Sequence, residues 1–272
     1  MTVSSTASRR SVSSPPLHSS YGRQHAVFPS LRIHTGPLRT GPGWVGAAAL
    51  AGDGAVLREM VAFDAALGLA EYGEPLRPDV AAGFALHRYT WPVALAFTLP
   101  WFLERRVPRL PVDRVSINRS AGELAVRPAG FSCLPDDPAA GAPGARVVPD
   151  APALRAELRA ALTEHLTPVL AAFRPLVRRG PRTLWGIVTD DVIEGLWFLG
   201  SLLDEEERAA AEVSELLPGP SDAPFVGGAD FRPVEPADSA EATRTRTRVS
   251  CCLFYTVRPE EVCPTCPRVC SE

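Results

Sequence analysis

Arg244-Thr-Arg-Thr-Arg-Val-Ser-Cys251-Cys252-Leu-Phe-Tyr-Thr-Val-Arg-Pro-Glu-Glu-Val-Cys263-Pro-Thr-Cys266-Pro-Arg-Val-Cys270 is the stretch from which the rest of the chain is read. Five of the six cysteines fall in it: an adjacent pair, a ten-residue gap, a Cys-x-x-Cys, and then Cys270. Thiols gathered this tightly point to a soft metal rather than to scattered core positions. In Cys263-x-x-Cys266 two intervening residues let both sulfurs face one centre, and Pro264 and Pro267 stiffen the turn by fixing φ. The adjacent pair is the unusual half. Neighbouring side chains of an extended strand point to opposite faces, so Cys251 and Cys252 can both ligate only where the backbone bends. Spacing alone leaves three occupants open: a four-thiolate [2Fe-2S] centre, a structural zinc, or disulfides. The directly adjacent pair counts against zinc, which usually takes two separated Cys pairs.

The same residues carry a resemblance. Cys251-Cys252, the ten-residue gap and Cys263-x-x-Cys266 resemble the C-terminal iron–sulfur signature of the FhuF-like ferric-siderophore reductases. Arg248 and Ser250 before the pair, Leu253 and Tyr255 after it, and the closing Pro267 fit as well. The resemblance implies a [2Fe-2S] cluster held by Cys251, Cys252, Cys263 and Cys266, with Cys270 outside the four-cysteine pattern. It further implies one-electron reduction of a ferric siderophore, releasing Fe(II) in the cytoplasm. Leu184-Trp-Gly-Ile-Val-Thr-Asp-Asp191 is similar, less specifically, to the helical body of the same family.

Just ahead of the cysteines, Arg244, Arg246 and Arg248 alternate with threonines. On a strand, period two sets the three guanidinium groups on one face. That face reads either as a charged edge that resists aggregation or as a dock for an anionic iron chelate or an acidic electron donor. No credible flavin or nicotinamide site accompanies the cysteines, so an external electron donor is implied. Gly41-Pro-Gly43-Trp-Val-Gly46 matches G-x-G-x-x-G, but no hydrophobic strand precedes it and Pro42 removes an amide that a pyrophosphate would need. It reads as a loop leading into a helix.

The bounds agree with a folded, acidic protein. The chain has 272 residues, a net charge of −3 and no lysine, so nothing suggests a nucleic-acid partner. Residues 1–40 lack hydrophobic periodicity and the apolar core of a secretory signal, and predict a disordered tail. Apolar residues at helical spacing predict helices over 55–72, 154–176 and 183–203, the last two as an antiparallel pair, with an acidic helix after them. Residues 81–103 are the most apolar, and Pro92 and Pro100 predict a kinked or broken buried helix. Its uncharged part is too short to span a bilayer but leaves room for peripheral membrane contact. His87 within it reads as a surface or capped histidine. Residues 112–117 and 123–127 predict a β-hairpin, and Cys133 a buried apolar cysteine. Asp190, Asp191 and Glu194 read as a solvated helix face opposite an apolar stripe.

The fold class expected is α+β: a mainly helical body over 41–217 with a β-hairpin, a linker over 218–243, and a small cysteine-rich segment over 244–272. Beside the ferric-siderophore reductase stand two rivals, a non-enzymatic [2Fe-2S] carrier or sensor and a zinc-stapled interaction domain.

Overall fold

From Pro78 to Glu104 nearly every side chain is apolar, and a helix that is hydrophobic all round has to lie inside. In the computed structural model, which describes residues 16–219, 223–233 and 244–268, this stretch is the central helix. The order of elements is α1 (His18–Val27), β1 (Arg32–Thr35), β2 (Trp44–Gly46), α2 (Ala47–Gly52), α3 (Gly54–Tyr72), α4 (Pro78–Glu104), β3 (Arg106–Arg109), β4 (Val115–Asn118), β5 (Glu123–Val126), β6 (Gly130–Cys133), β7 (Ala145–Val147), α5 (Ala151–Val177), α6 (Pro181–Leu202), α7 (Glu206–Leu216), β8 (Arg232–Pro233) and β9 (Arg244–Thr245). The architecture is α+β and mainly helical, as expected. α3, α5 and α6 pack around α4, which buries Leu86, Tyr89, Leu95, Phe97 and Leu99 completely.

α4 runs unbroken through Pro92 and Pro100. A proline at position 100 cannot donate to the carbonyl of Ala96. The Tyr21 hydroxyl, from α1, donates to that oxygen instead at 2.7 Å. The orphaned acceptor is thereby satisfied in the core, where leaving it bare would cost about 1–3 kcal/mol. This contact also corrects the expectation of a disordered tail over 1–40. Residues 18–27 are helical and residues 32–35 form a strand, because Tyr21 and Leu17 are buried against α4 and its neighbours. Residues 1–15 of that tail lie outside the described residues.

The hairpin forms as expected, with β4 and β5 antiparallel and Val115 opposite Val126. It sits inside a four-stranded sheet of order β1-β5-β4-β2, in which β1 runs parallel to β5. β3, β6 and β7 make a second sheet, where Cys133 is fully buried. α5 and α6 are joined by a short turn at 178–180, and α7 follows as the acidic helix. The expected linker is not wholly a spacer: Phe225 and Ala229 pack into the main core, and β8 pairs with β9. Residues 220–222 and 234–243 of it lie outside the described residues. Among the described residues, no helix is long and apolar enough to cross a membrane.

One polar pair sits in the middle of this core. His165 on α5 is fully buried, with Nδ1 2.6 Å from the Leu110 carbonyl and Nε2 2.8 Å from the Tyr89 hydroxyl. The neutral imidazole satisfies both, donating from Nδ1 and accepting at Nε2. Burial lowers its pKa to about 4. A depressed pKa contributes stability that is present above the ordinary value near 6.5 and lost as pH falls toward the folded one. Between those two values the loss should reach about 3 kcal/mol. Urea unfolding at neutral pH and near pH 4 checks this: His165→Gln should remove roughly that much of the difference, and an unchanged difference would assign acid instability elsewhere.

Candidate metal centre

The cysteine segment is seated on α6 by a carboxylate that sequence reasoning placed in solvent. Asp190 is fully buried. One of its oxygens accepts from Arg246 Nη2 at 2.9 Å and the Val249 N–H at 3.0 Å. The other accepts from the Ser250 N–H at 2.9 Å and the Ser250 hydroxyl at 2.6 Å. Four donors from residues 246–250 thus converge on one acid directly before Cys251. Gly186, one turn earlier on α6, permits the approach: a Cβ there would lie 3.3 Å from that of Ser250. Glu194, one turn later, accepts from Arg246 Nη1 at 3.0 Å and from the Thr265 hydroxyl at 2.9 Å. The Arg248 N–H donates to the Thr265 carbonyl at 2.8 Å, tying the two cysteine-bearing stretches together.

Asp190, Asp191 and Glu194 therefore do not form a solvated face. The apolar stripe of α6 meets α4, and the acidic side is covered by the cysteine segment. Asp191, also buried, holds His87 of α4: the His87 Nδ1 lies 2.6 Å from a carboxylate oxygen, and the Thr90 hydroxyl donates to the other. Burial opposes a charge on His87, but the Asp191 carboxylate outweighs it and raises the histidine's pKa above the ordinary value. His87 is thus the partly exposed, carboxylate-held histidine that was expected, and it lines the cavity described below.

The three alternating arginines do not share one face: Arg246 and Arg248 both approach Asp190 and Glu194, and Arg244 does not. Strand β9 ends at Thr245, so period two does not carry through. Arg244 pairs with Glu207 of α7, and Arg246 is fully buried between Asp190 and Glu194. Arg248 is turned toward the cysteines. Burial works against its charge, while Glu194, Asp190 and Asp191 hold its pKa above the usual arginine value. A buried guanidinium matched by two acids is a fixture of the fold, and it is unavailable to an outside ligand.

The backbone bend needed by an adjacent cysteine pair is present. Leu253 takes the left-handed conformation at φ 66°, and a 3-10 turn over Phe254–Thr256 follows. For a residue with a bulky side chain this costs on the order of 1 kcal/mol, and packing repays it. Leu253, Phe254 and Val257 pack on Leu76, Val80, Ala81 and Phe84 of the α3–α4 junction, forming a small second core. Arg258 donates to the Tyr72 carbonyl at 3.1 Å. On the other side, the Cys266 N–H donates to the Cys263 carbonyl at 3.0 Å, closing the Cys-x-x-Cys turn.

Cys251, Cys252 and Cys263 line one cavity of about 280 Å³, together with His87 and Arg248. Cys266 is buried, and Cys270 lies outside the described residues. The sulfurs of Cys252 and Cys263 are 3.7 Å apart. Two thiolates bound at ~2.3 Å to one tetrahedral metal would stand about 3.8 Å apart, so this pair suits a shared metal. Burial and the neighbouring Cys252 push the Cys263 thiol's pKa up, so a bound cation would relieve the crowding of negative charge. Cys251 and Cys266 are not drawn into the same contact. Among the described residues, no three His, Cys, Asp or Glu side chains converge as a single metal site.

Residues 248–268 match the family model of the FhuF 2Fe-2S C-terminal domain. No curated protein matches the chain. The donor set, the bend at the adjacent pair and this match agree: the C-terminal segment is an FhuF-like 2Fe-2S domain, and its cofactor is a [2Fe-2S] cluster.

Proposed function

We propose that this protein reduces chelated Fe(III) to Fe(II) by one electron, with ferric siderophores as its substrates, and that Cys251, Cys252, Cys263 and Cys266 hold the cluster. The observation that carries the reading is the cavity shared by Cys251, Cys252 and Cys263, which leaves a small molecule room beside the thiols. A [2Fe-2S] cluster bound there supplies single electrons at a potential set by nearby charge, hydrogen bonds and exposure. The chelate's hard oxygen donors hold Fe(III) far better than Fe(II), so one electron suffices to loosen the metal.

The protein's own residues serve that task by position. Arg248 holds a fixed positive charge near Cys252, favouring the uptake of negative charge at the thiols. Asp190 and Glu194 fix the segment that carries them. The aromatic side chains Tyr72, Phe84 and Phe254 shield one side of the cavity from water. An external electron donor completes the cycle. The reaction belongs in the cytoplasm, where released Fe(II) is used, with peripheral contact to the inner face of the membrane as part of the proposal.

The test is stoichiometric. Anaerobically purified protein, bleached with dithionite and freed of excess reductant, should recover its colour on adding a ferric siderophore and deliver Fe(II) to a ferrous trap. Recovery of colour in air without Fe(II) from any chelate would make it a carrier or sensor. A colourless protein containing zinc and no acid-labile sulfide would make the segment a zinc staple.

A further inference from the structure

The cavity beside the cysteines has a charge pattern that says what kind of chelate it takes. The cavity of about 280 Å³ is lined beyond the thiols by Tyr72, Phe84, Val177 and Ile187. Its charged wall consists of His87, Arg88, Arg179, Arg248 and Asp79. Most of these charges are matched. Arg246, Arg248 and His87 face Asp190, Asp191 and Glu194, and Asp79 faces Arg77. Two are not. Arg88 and Arg119 share the single carboxylate of Asp64, and Arg179 has no ion-pair partner among the described residues.

The surplus therefore amounts to one charge on the Arg88–Arg119–Asp64 group and one on Arg179. Arg88 and Arg119 are more exposed than Arg248, which is nine-tenths buried, and Arg179 is partly exposed. The Arg248 Nε makes ion-pair approaches at 3.6 and 3.8 Å but no hydrogen bond, leaving a buried donor in the cavity wall. The cluster's thiolates bring negative charge to this same space, so an anionic ligand can enter only against compensating cations. The unmatched arginines of the cavity wall supply that compensation.

We propose that the cavity receives an acidic arm of the ferric chelate, with a carboxylate pairing to Arg179 and an apolar portion lying on Tyr72 and Phe84. The preferred substrates are then carboxylate-bearing, anionic ferric chelates over neutral hydroxamate ones. This rests on the reductase reading, and gallium(III) separates the two, because it copies the shape of Fe(III) chelates but accepts no electron under these conditions.

Calorimetric titration of cluster-loaded protein with gallium(III) citrate and with neutral gallium(III) tris(acetohydroxamate) is the test. The citrate chelate should bind about tenfold more tightly, the worth of one charge-assisted contact. Arg179→Gln should abolish that preference and leave the visible spectrum of the cluster unchanged. Arg174→Gln, which alters an exposed α5 arginine outside the cavity wall, should leave the preference intact. Equal affinities, an unaltered preference in Arg179→Gln, or the same loss in both variants would overturn the proposal, the last by tracing the effect to overall charge. Tight citrate binding lost in Arg179→Gln, with no reduction of ferric citrate, would uphold the dock and end the reductase reading. Reduction confined to neutral chelates would uphold the reductase and end the dock.

Discussion

Cys252→Ser is expected to strip the purified protein of most of its visible absorption, iron and acid-labile sulfide. Its sulfur lies 3.7 Å from that of Cys263, the spacing of two ligands on one metal. A serine oxygen is harder, and its proton is far more firmly held, so the site loses a soft anionic donor. Cys133→Ala, which empties a position in the β3–β6–β7 sheet away from the cavity, should leave the spectrum as it was. Cys270→Ser is expected to do the same. Iron and sulfide analysis beside the visible spectrum decides it. Retained colour in Cys252→Ser, or its loss in Cys270→Ser, would show that the four-cysteine ligand set is wrong.

Asp190→Asn should cost nearly as much by a different route. It leaves every cysteine in place and removes the charge on which Arg246, Val249 and Ser250 converge. Arg246 would then be fully buried with Glu194 as its one remaining acid. Removing one partner of a buried pair typically costs about 3–5 kcal/mol, because the other charge is stranded without water. An amide also cannot accept at both positions, so one side of the carboxamide would point a donor at Ser250. The expected outcome is a lower unfolding midpoint together with poor cluster retention. Ordinary cluster content and an unchanged melting curve would mean that residues 246–250 are held by something other than this acid. Glu207→Gln, which breaks an ion pair at the surface, is the reference and should move the melting curve far less.

These two residues also mark where sequence reading succeeded and where it stopped. The cysteines were legible because ligand geometry constrains spacing directly, and the helices because their apolar residues recur at the helical period. Asp190, Asp191 and His87 were not legible as a unit. On α6 the stripe of Trp185, Val188, Val192, Leu196 and Leu199 accounts for one face, and a local reading assigns the other face to water. What covers that face is chain about sixty residues further on, so its burial leaves no periodic trace. A usable signal was there in retrospect: two adjacent acids mid-helix in an otherwise apolar run, and a distant stretch rich in arginine. The order of residues 18–35 was hidden for a similar reason. β1 pairs in parallel with β5, and Tyr21 answers a carbonyl freed by Pro100, both at long separation.

The seat beneath Ser250 also dictates when the chain can mature. Helix α6 leaves the ribosome long before the last cysteines do, and both halves of their platform, α6 and the α3–α4 junction, are upstream of them. Metal loading consequently waits until translation has passed Cys266, when the platform that seats the cysteines is already made. A synthetic peptide of residues 244–268 would carry the four sulfurs without the acid that seats them.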